Sequence, residues 1–361
     1  MSALRCVHIL DDFALGGVSK SLKVFDHPGL ATIANAYVMP AEPAWRIAPA
    51  IEADVIVTHF PPSWRTLPFL QSIKLRNPRA AWVHVEHSYT AAWEALKVPD
   101  VARFRMAVRR GLSGADRVVA VSHGQALWLA EVLGLDRRID VLHPWSGSQG
   151  LCEVEMPSFA HPTIRLGAYG RFTEAKGFDV LLNAMERLSP LAFSLRLAGL
   201  GPDETMLRER AADLPHVEMM GRIDNVATFL SSVDVVVVPS RWEAFGQVAA
   251  EARLAGRPVV VADVDGLPEQ VGRAGVVTNC GTPERLATAL AQLPGLDLPA
   301  MACAARASML GAEEERLAGW RQLFASVSAE RRSAAVRAAT PIRISAGQNR
   351  YPSTSRFSPK L

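Results

Sequence analysis

Two glutamates stand eight positions apart, Glu243 and Glu251, in the stretch 235–256 that reads VVVVPSRWEAFGQVAAEARLAG. Its apolar start predicts a buried strand, and the pattern after Gly246 predicts a helix. One carboxylate then lies in the loop before the helix and the other lies inside it, at the carboxyl edge of a sheet. Free N–H groups at the helix start suit an anionic ligand, and the carboxylates can accept hydrogen bonds from sugar or ribose hydroxyls. The alternative is a helix start with two solvated glutamates.

Two cations bracket a turn in the segment 170–177, GRFTEAKG. Gly170 ends a predicted strand, and Arg171 and Lys176 follow it. At the carboxyl end of a strand, two such cations can neutralise a diphosphate and the charge it gains as a leaving group. The alternative is a pair of ordinary surface charges.

Paired glycines, Gly16 and Gly17, follow the first predicted strand. They would let the backbone approach a ligand closely at a helix start. The three-glycine GxGxxG pattern of dinucleotide-binding proteins is missing here, which weighs against NAD chemistry.

Four histidines stand at predicted strand ends: His84, His87, His123 and His143. Most histidines of this kind pack or form hydrogen bonds within the protein. His87 is the candidate for chemistry, because it lies where the first half of the chain would face a ligand cleft. No cluster has the spacing of metal ligands, and neither a nucleophile elbow nor a P-loop occurs.

The elements that would position these residues alternate between short apolar runs and amphipathic stretches. Twelve runs are predicted strands: 4–10, 34–39, 54–58, 80–85, 117–121, 139–142, 164–170, 193–198, 217–220, 234–239, 258–262 and 275–278. The pattern predicts the α/β fold class, with two doubly wound, Rossmann-like domains that face each other across a cleft.

The predicted domain boundaries follow changes in composition. An N-terminal domain spans 1–145, a linker 146–162, and a C-terminal domain 163–308. A closing helix, 309–327, would carry Leu317, Trp320 and Leu323 or Phe324 on one face. The tail 328–361 has seven Lys and Arg against one acidic residue and is expected to be disordered.

Composition excludes several classes of protein. Hydrophobic residues make up 49% and charged residues 21% of the 361, which is typical of globular domains. No nucleic-acid-binding module is visible, so no nucleic-acid partner is expected. The four cysteines are far apart and are interpreted as reduced core residues. No secretory signal or long apolar span occurs, and a cytoplasmic protein is expected.

A basic stretch, 97–110, reads KVPDVARFRMAVRR and predicts a helix that follows Trp93. Such helices can lie on anionic lipid, so a peripheral contact with the inner face of a membrane is one interpretation. The alternative is that Phe104 and Val108 pack on the sheet while the arginines are solvated.

Taken together, these segments resemble the family-4 retaining glycosyltransferases of the GT-B fold. The resemblance covers residues 4–325 and is strongest over 239–271, which is similar to the family's Glu-seven-residues-Glu segment with its G-x-P-V strand. GRFTEAKG at 170–177, AGLGP at 198–202 and MGRI at 220–223 match in order and spacing. Two departures occur: HPW at 143–145 replaces a Pro-Asn-Gly-like turn, and Gln247 replaces an apolar residue.

The resemblance implies a role for each matching residue. Arg171 and Lys176 would hold the donor diphosphate after Gly170, and Glu251 the ribose. Glu243, with the backbone of Ala244, Phe245, Gly246 and Gln247, would hold the transferred sugar and phosphate, and Gly201, Arg222 and Ile223 would lie against the base. Gly16 and Gly17 would approach phosphate and acceptor, and His87 the sugar.

The implied reaction is transfer of a hexose-type sugar, with retention, from a nucleotide-sugar donor to a hydroxyl of a glycan, glycolipid or small-molecule acceptor. No cofactor and no metal are expected. Two alternatives stay open at this point: a nucleotide-sugar epimerase of the same fold, and a non-catalytic nucleotide-sugar-binding protein.

Overall fold

The structure is a computed structural model that describes residues 3–11, 21–41, 46–134, 137–145, 147 and 150–339, with side chains up to residue 330. Gly16 and Gly17 lie outside the described residues, so the prediction made for them has no structural counterpart. The same holds for residues 340–361 of the tail.

The first domain is built on a parallel six-stranded sheet with strand order β2-β1-β3-β4-β5-β6. Its strands are β1 Leu4–Leu10, β2 Ala34–Pro40, β3 Val55–Thr58, β4 Ala81–Glu86, β5 Arg117–Ala120 and β6 Ile139–Val141. Its helices are α1 Pro28–Ala31, α2 Leu67–Arg76, α3 Ala91–Lys97, α4 Val101–Leu112 and α5 His123–Leu133. A 3-10 helix, Leu22–Asp26, precedes α1. The central strands are buried on both faces, which is why they read as unbroken apolar runs.

The second domain repeats this architecture with strand order β12-β11-β10-β7-β8-β9. Its strands are β7 Ile164–Tyr169, β8 Phe193–Ala198, β9 Val217–Gly221, β10 Val235–Val238, β11 Val259–Ala262 and β12 Gly275–Thr278. Its helices are α6 Phe178–Met185, α7 Glu204–Ala211, α8 Val226–Ser231, α9 Gln247–Leu254, α10 Pro283–Ala291 and α11 Leu298–Ala307. Short 3-10 helices occur at Leu151–Glu153, Glu174–Lys176, Pro268–Gln270 and Leu293–Gly295.

Both sheets confirm the predicted fold class. All twelve predicted strands are present, and each bound lies within two residues of its prediction. In both strand orders, the chain leaves the middle of the sheet toward one side and then continues on the other. Open parallel sheets bind ligands beside such a switch point, outside the carboxyl ends of the strands.

The closing helix, α12 Ala312–Ala339, packs its apolar face on the first domain. Leu317, Trp320, Leu323 and Phe324 are all buried there, as predicted. Trp320 lies edge-on to Phe25 with the ring centroids 4.8 Å apart. The chain therefore returns from the second domain to the first, and the two domains share this helix.

The predicted end of the closing helix at 327 is wrong, because α12 continues to Ala339. Alanine, arginine and glutamate dominate its last turns, and these residues favour helix strongly enough to continue it without an apolar stripe. Arg117, whose side chain is buried, pairs with Glu330 at 2.5 Å and ties the added turn to the first domain.

Part of the predicted linker is buried, although its composition is polar. Leu151 and Val154 are buried against the core of the second domain, while Cys152 between them is exposed. Arg257 donates two hydrogen bonds of 2.9 Å to the carbonyl of Glu155 and holds this segment in place. The interpretation of all cysteines as core residues is wrong for Cys152 and Cys303, which are exposed, and holds for Cys6 and Cys280.

The basic stretch 97–110 forms parts of two helices and not one. Pro99 lies between α3 and α4, where its ring and missing N–H favour a break, and Asp100 caps α4 by accepting from the Arg103 N–H at 2.9 Å. Phe104 is half-buried beside Tyr89, with the ring centroids 4.8 Å apart. The prediction of a single helix is therefore wrong, and the apolar side of α4 packs inside the domain.

Candidate functional site

The candidate site begins where β7 and β10, which are neighbours in the second sheet, end side by side. The loops that follow them touch, because the Arg241 N–H donates to the Ala175 carbonyl at 2.8 Å. A glycine is required at position 177, where the two loops touch. It has a φ of 63°, and a Cβ there would lie 2.2 Å from the Pro239 carbonyl oxygen. The sequence segments 170–177 and 239–246 thus form one surface.

Lys176 and Glu243 meet on this surface as an ion pair. The hydroxyl of Ser240 also donates to Oε2 of Glu243 at 3.3 Å. Both charged side chains are partly exposed, at 26% for Lys176 and 17% for Glu243. The two predicted donor ligands are therefore adjacent, and an anion that approaches Lys176 competes with Glu243 for it.

Glu251 lies in the middle of α9 and accepts a hydrogen bond of 2.7 Å from the hydroxyl of Tyr169. Burial, together with the neighbouring carboxylate, raises the pKa of Tyr169 well above its ordinary value, so the phenol stays a donor. Tyr169 was missed at the sequence level. Its place as the last residue of β7, immediately before Gly170, was the available signal.

The start of α9 lies between these carboxylates. Gly246 precedes the helix with a left-handed φ of 94°, and Gln247 is its first residue. The N–H of Ala249 donates to the Gly246 carbonyl at 3.0 Å, and the positive end of the helix dipole favours an anion at this point. The Phe245 side chain is buried, with its ring centroid 5.2 Å from that of His143, and its carbonyl accepts from the Gln270 side chain at 3.0 Å.

Gln247 and Glu251 line a small cavity of about 250 Å³ together with Trp145. The departures from the family pattern at 143–145 and at 247 thus lie near each other. The His143 ring also lies 2.9 Å from Glu269, measured from Nε2 to Oε1.

The remaining predicted donor ligands follow the carboxyl edge of the sheet away from β10. Arg171 is exposed, and it has no ion pair within the described part of the chain. Gly201 approaches the Phe172 backbone so closely that a Cβ would lie 2.3 Å from the Phe172 carbonyl oxygen. Arg222 is 68% exposed beside Asp224, and Ile223 packs partly against the core. The structure therefore brings Lys176, Glu243 and Glu251 together and places Arg222 two strands from β7.

Asp265 connects the Glu243 loop to the first domain. Its carboxylate accepts from the Ala92 N–H at 3.0 Å and from the Glu243 N–H at 3.1 Å. It has a φ of 48°, a left-handed conformation that is rare outside glycine. Burial raises the pKa of Asp265, although hydrogen bonds to Ala92, Thr90 and Glu243 oppose that rise. Asp265 thus shapes this loop and bridges it to the first domain, a contact that the sequence does not indicate.

Glu269 is a second bridge between the domains. It accepts from the N–H groups of His123 and Gly124 at 2.8 and 3.2 Å, at the start of α5. Burial alone would raise the pKa of Glu269, but hydrogen bonds from His143 and Gly124 hold it below its ordinary value. Of the histidines at strand ends, His123 and His143 thus belong to the domain interface.

His87 follows β4 and borders a cavity of about 360 Å³ in the first domain. The walls of this cavity include His59, His87, His143, Trp145, Arg316 and Trp320. Arg316 comes from α12 and donates to Nδ1 of His143 at 3.2 Å. The structure places His87 in the wall of this cavity, and its predicted role toward the sugar stays a prediction. His84 is fully buried and bonded to Thr58 at 2.9 Å, so it is a packing residue.

Two features are absent from the described residues, a cluster of metal ligands and a membrane span. These residues contain no group of three or more His, Cys, Asp or Glu that could hold a metal ion. None of their helices is both long and apolar enough to cross a membrane.

Two Rossmann-like domains with a ligand-type surface at the strand ends define a GT-B glycosyltransferase architecture. Residues 163–294 match the family described as "Glycosyl transferases group 1", and residues 21–145 match "Glycosyltransferase Family 4". The two matches together cover well over half of the chain. The chain therefore belongs to the group 1 glycosyltransferases of the family-4 type.

Individual relatives agree with this assignment. The D-inositol 3-phosphate glycosyltransferase of Segniliparus rotundus is 29% identical over 237 residues, which cover 58% of this chain and 52% of that protein. The lipopolysaccharide core biosynthesis glycosyltransferase LpsE of Rhizobium meliloti is 32% identical over 169 residues, 45% of this chain and 49% of that one. The chain thus spans about half the length of these curated relatives.

Solved structures show the same fold. Sucrose-phosphate synthase from Thermosynechococcus elongatus superposes with a TM-score of 0.69 at 19% identity, covering 89% of this chain and 99% of that chain. Anabaena HepE, solved in complex with UDP and glucose, superposes with a TM-score of 0.67 at 17% identity, covering 90% of this chain and 100% of that chain.

Proposed function

We propose that this protein transfers a hexose-type sugar from a nucleoside diphosphate sugar to a hydroxyl group of an acceptor, with retention of the anomeric configuration. The observation that carries the proposal is the grouping of Lys176, Glu243 and Glu251 around the start of α9, at the joined ends of β7 and β10. The cation, the carboxylates and the positive end of the α9 dipole match the phosphates and hydroxyls of such a donor.

Electrostatic stabilisation of the leaving group is the main catalytic effect in this proposal. Cleavage of the sugar–phosphate bond places negative charge on the diphosphate. Lys176 and Arg171 receive that charge, and the N–H groups at the start of α9 add to their effect. When Lys176 turns to the phosphate, Glu243 is released from the ion pair and can accept hydrogen bonds from the sugar. Glu251, oriented by Tyr169, accepts from the ribose hydroxyls.

A small-molecule acceptor fits this protein best among the proposed classes. The cavity beside His87 is also lined by Arg316 and Trp320, which offer a charged and an aromatic group to such a ligand. Relatives named for D-inositol 3-phosphate support the same class. LpsE, named for the lipopolysaccharide core, supports a glycolipid instead, and glycans are the third class. Peripheral contact with an anionic membrane is tied to the glycolipid class, and vesicle flotation tests it.

A thermal-shift panel of nucleoside diphosphates and their sugars is the first experiment. Binding to the folded state raises the free energy of unfolding, by about 2.7 kcal/mol at a ligand concentration one hundred times Kd. The melting temperature rises with it. The donor found in this way is then incubated with candidate acceptors, and NMR of the product reads its anomeric configuration. Inversion would overturn the proposed retention, and the absence of both binding and transfer would overturn the proposed function.

An incubation without acceptor distinguishes the second enzyme class. A nucleotide-sugar epimerase would release free sugar or an epimerised nucleotide sugar under those conditions. A transferase leaves the donor unchanged or hydrolyses it slowly until an acceptor hydroxyl is added.

A further inference from the structure

Three histidines of the first domain form a continuous chain of hydrogen bonds that ends at His87. Nδ1 of His8 lies 2.9 Å from Nε2 of His59, and Nδ1 of His59 lies 3.0 Å from Nε2 of His87. At the other end, Sγ of Cys6 lies 3.3 Å from Nε2 of His8. The chain exists because β1, β3 and β4 are adjacent strands in the sheet. We call these four residues the histidine relay.

The relay is buried at its Cys6 and His8 end and is uncharged near neutral pH. His8 is fully buried, and its ring centroid lies 4.4 Å from that of Phe25. Burial lowers the pKa of His8 to about 3 and that of His87 to about 4, and it holds the pKa of His59 well below its usual range. A neutral imidazole has one N–H and one accepting nitrogen, so all three rings must share one orientation of donor and acceptor.

The thiol of Cys6 determines which orientation is favoured. Burial raises the pKa of this thiol, so it keeps its proton. If the thiol donates to Nε2 of His8, then His8 donates from Nδ1 to His59, and His59 donates from Nδ1 to His87. In the opposite orientation the N–H of His8 would point at the thiol sulfur, and the thiol proton would lose the imidazole nitrogen as its acceptor.

We propose that Cys6, His8 and His59 are positioning residues that hold His87 in the Nδ1–H tautomer, so that His87 offers a hydrogen-bond donor to a ligand oxygen in the cavity and not a base. The catalytic consequence rests on the proposed function. His87 cannot then take the proton of the acceptor hydroxyl. As the acceptor oxygen bonds to the anomeric carbon and the sugar–phosphate bond breaks, that proton passes to the leaving phosphate.

His84, beside the relay, provides an internal reference. Its Nε2 lies 3.5 Å from Oε2 of Glu86, and its Nδ1 lies 2.9 Å from the hydroxyl of Thr58. A carboxylate can only accept, so the Nε2 of His84 that faces Glu86 carries a proton. The Trp82 indole N–H donates to the Thr58 oxygen at 3.0 Å, which leaves the hydroxyl proton of Thr58 for His84. Glu86 is a charged neighbour that acts on His87, and it also accepts from the N–H groups of Ser88 and Tyr89.

NMR of the ¹⁵N-histidine-labelled protein tests the proposal without any substrate. Long-range proton–nitrogen spectra distinguish a protonated from an unprotonated ring nitrogen, and the single variants His8→Gln, His59→Gln, His84→Gln and His87→Gln assign the signals. We expect a protonated Nδ1 in all three relay histidines and a protonated Nε2 in His84. A protonated Nε2 in His87 of the wild-type protein would overturn the proposal. Because this experiment needs no activity, its result is independent of the proposed function.

Variants of Cys6 test the catalytic consequence, with Cys280 as the matched control. Cys280 is also a buried free thiol, and it donates to the Thr278 carbonyl, far from the relay. We expect Cys6→Ala to give a mixture of His87 tautomers and to lower kcat by about tenfold, the effect of one hydrogen bond, with donor KM unchanged. Cys6→Ser keeps a donor and should retain wild-type tautomers and kcat, as should Cys280→Ala.

Two results in that series would overturn the role of Cys6. One is an unchanged His87 tautomer in Cys6→Ala, and the other is an equal loss of kcat in Cys280→Ala. If Cys6→Ala does not fold, the spectra of the wild type and of Cys6→Ser decide the question.

Discussion

Tyr169 and Glu251 are joined across the candidate donor site by a hydrogen bond of 2.7 Å from the tyrosine hydroxyl to Oε2 of the carboxylate. The bond links the last residue of β7 to the middle of α9. It fixes the position of one carboxylate oxygen of Glu251. Orientation of Glu251 therefore depends on a residue that makes no contact with the donor in our proposal.

The variant Tyr169→Phe removes this hydroxyl and keeps the ring. We expect kcat/KM for the donor to fall by about tenfold, because a hydrogen bond to a charged group contributes about 1.5 kcal/mol. Steady-state kinetics measures the change, and circular dichroism confirms the fold. Tyr37→Phe, at an exposed tyrosine of β2, is the matched control and should behave like the wild type. Equal kinetics in the two variants would contradict the role of Tyr169.

Lys176→Ala and Glu251→Ala should each reduce transfer strongly and leave the fold intact. Each removes a charge-assisted contact to the donor, worth about 1.5 to 3 kcal/mol, which corresponds to a loss of about ten- to 150-fold in kcat/KM. Arg208→Ala, which removes a surface ion pair with Glu204, is the control and should have little effect. Wild-type kinetics in both site variants would sink the assignment of the donor site.

Activity is expected to survive a strong chelator. The charge of the leaving diphosphate is assigned to Lys176, Arg171 and the start of α9 in our proposal, so no divalent ion is needed. The measurement is transfer in excess chelator, followed by addition of Mg²⁺ or Mn²⁺. Activity that disappears in chelator and returns with either ion would show that a metal takes part.

The bridge between Glu269 and the first domain should make the free energy of unfolding fall as the pH is lowered into the acid range. Hydrogen bonds from His143 and Gly124 hold the pKa of Glu269 below the ordinary value of 4.5. A depressed pKa means that the ionised carboxylate stabilises the folded state; this contribution is complete above about pH 4.5 and is lost as pH falls through the folded pKa. The melting temperature of Glu269→Gln should therefore be lower than that of the wild type at pH 6, and the difference should shrink in acid. A constant difference would contradict the linkage.

Much of the fold could be predicted from the sequence because buried parallel strands are apolar runs of limited length. The run VVVV of β10 is one example, and Glu243 and Glu251 were placed correctly from it. The pairing of Lys176 with Glu243 could not be predicted without the strand order. That order puts β7 beside β10, although β8 and β9 lie between them in the chain.

Other features of the site depend on tertiary structure alone. The left-handed φ of Asp265 and its bonds to two domains leave no trace in residue spacing. The histidine relay brings together residues of β1 and of the loops after β3 and β4, and only their adjacency in the sheet makes the chain. The end of α12 was misjudged because the loss of apolar periodicity after Val327 was taken as the loss of helix.

Truncation tests the role of the last turns of α12. Removal of residues after Val327 takes away Glu330, the partner of the buried Arg117, and leaves that charge without its ion pair. We expect this change to cost about 1 to 2 kcal/mol and to lower the melting temperature by a few degrees, because an unpaired buried charge is destabilising. Truncation after Ala339 keeps Glu330 and should leave both the melting temperature and the transfer activity unchanged. The substitution Glu330→Gln in the full chain isolates the ion pair, and it should reproduce most of the loss seen on truncation at 327. If both truncations melt like the wild type, the contact between Arg117 and Glu330 contributes nothing to stability.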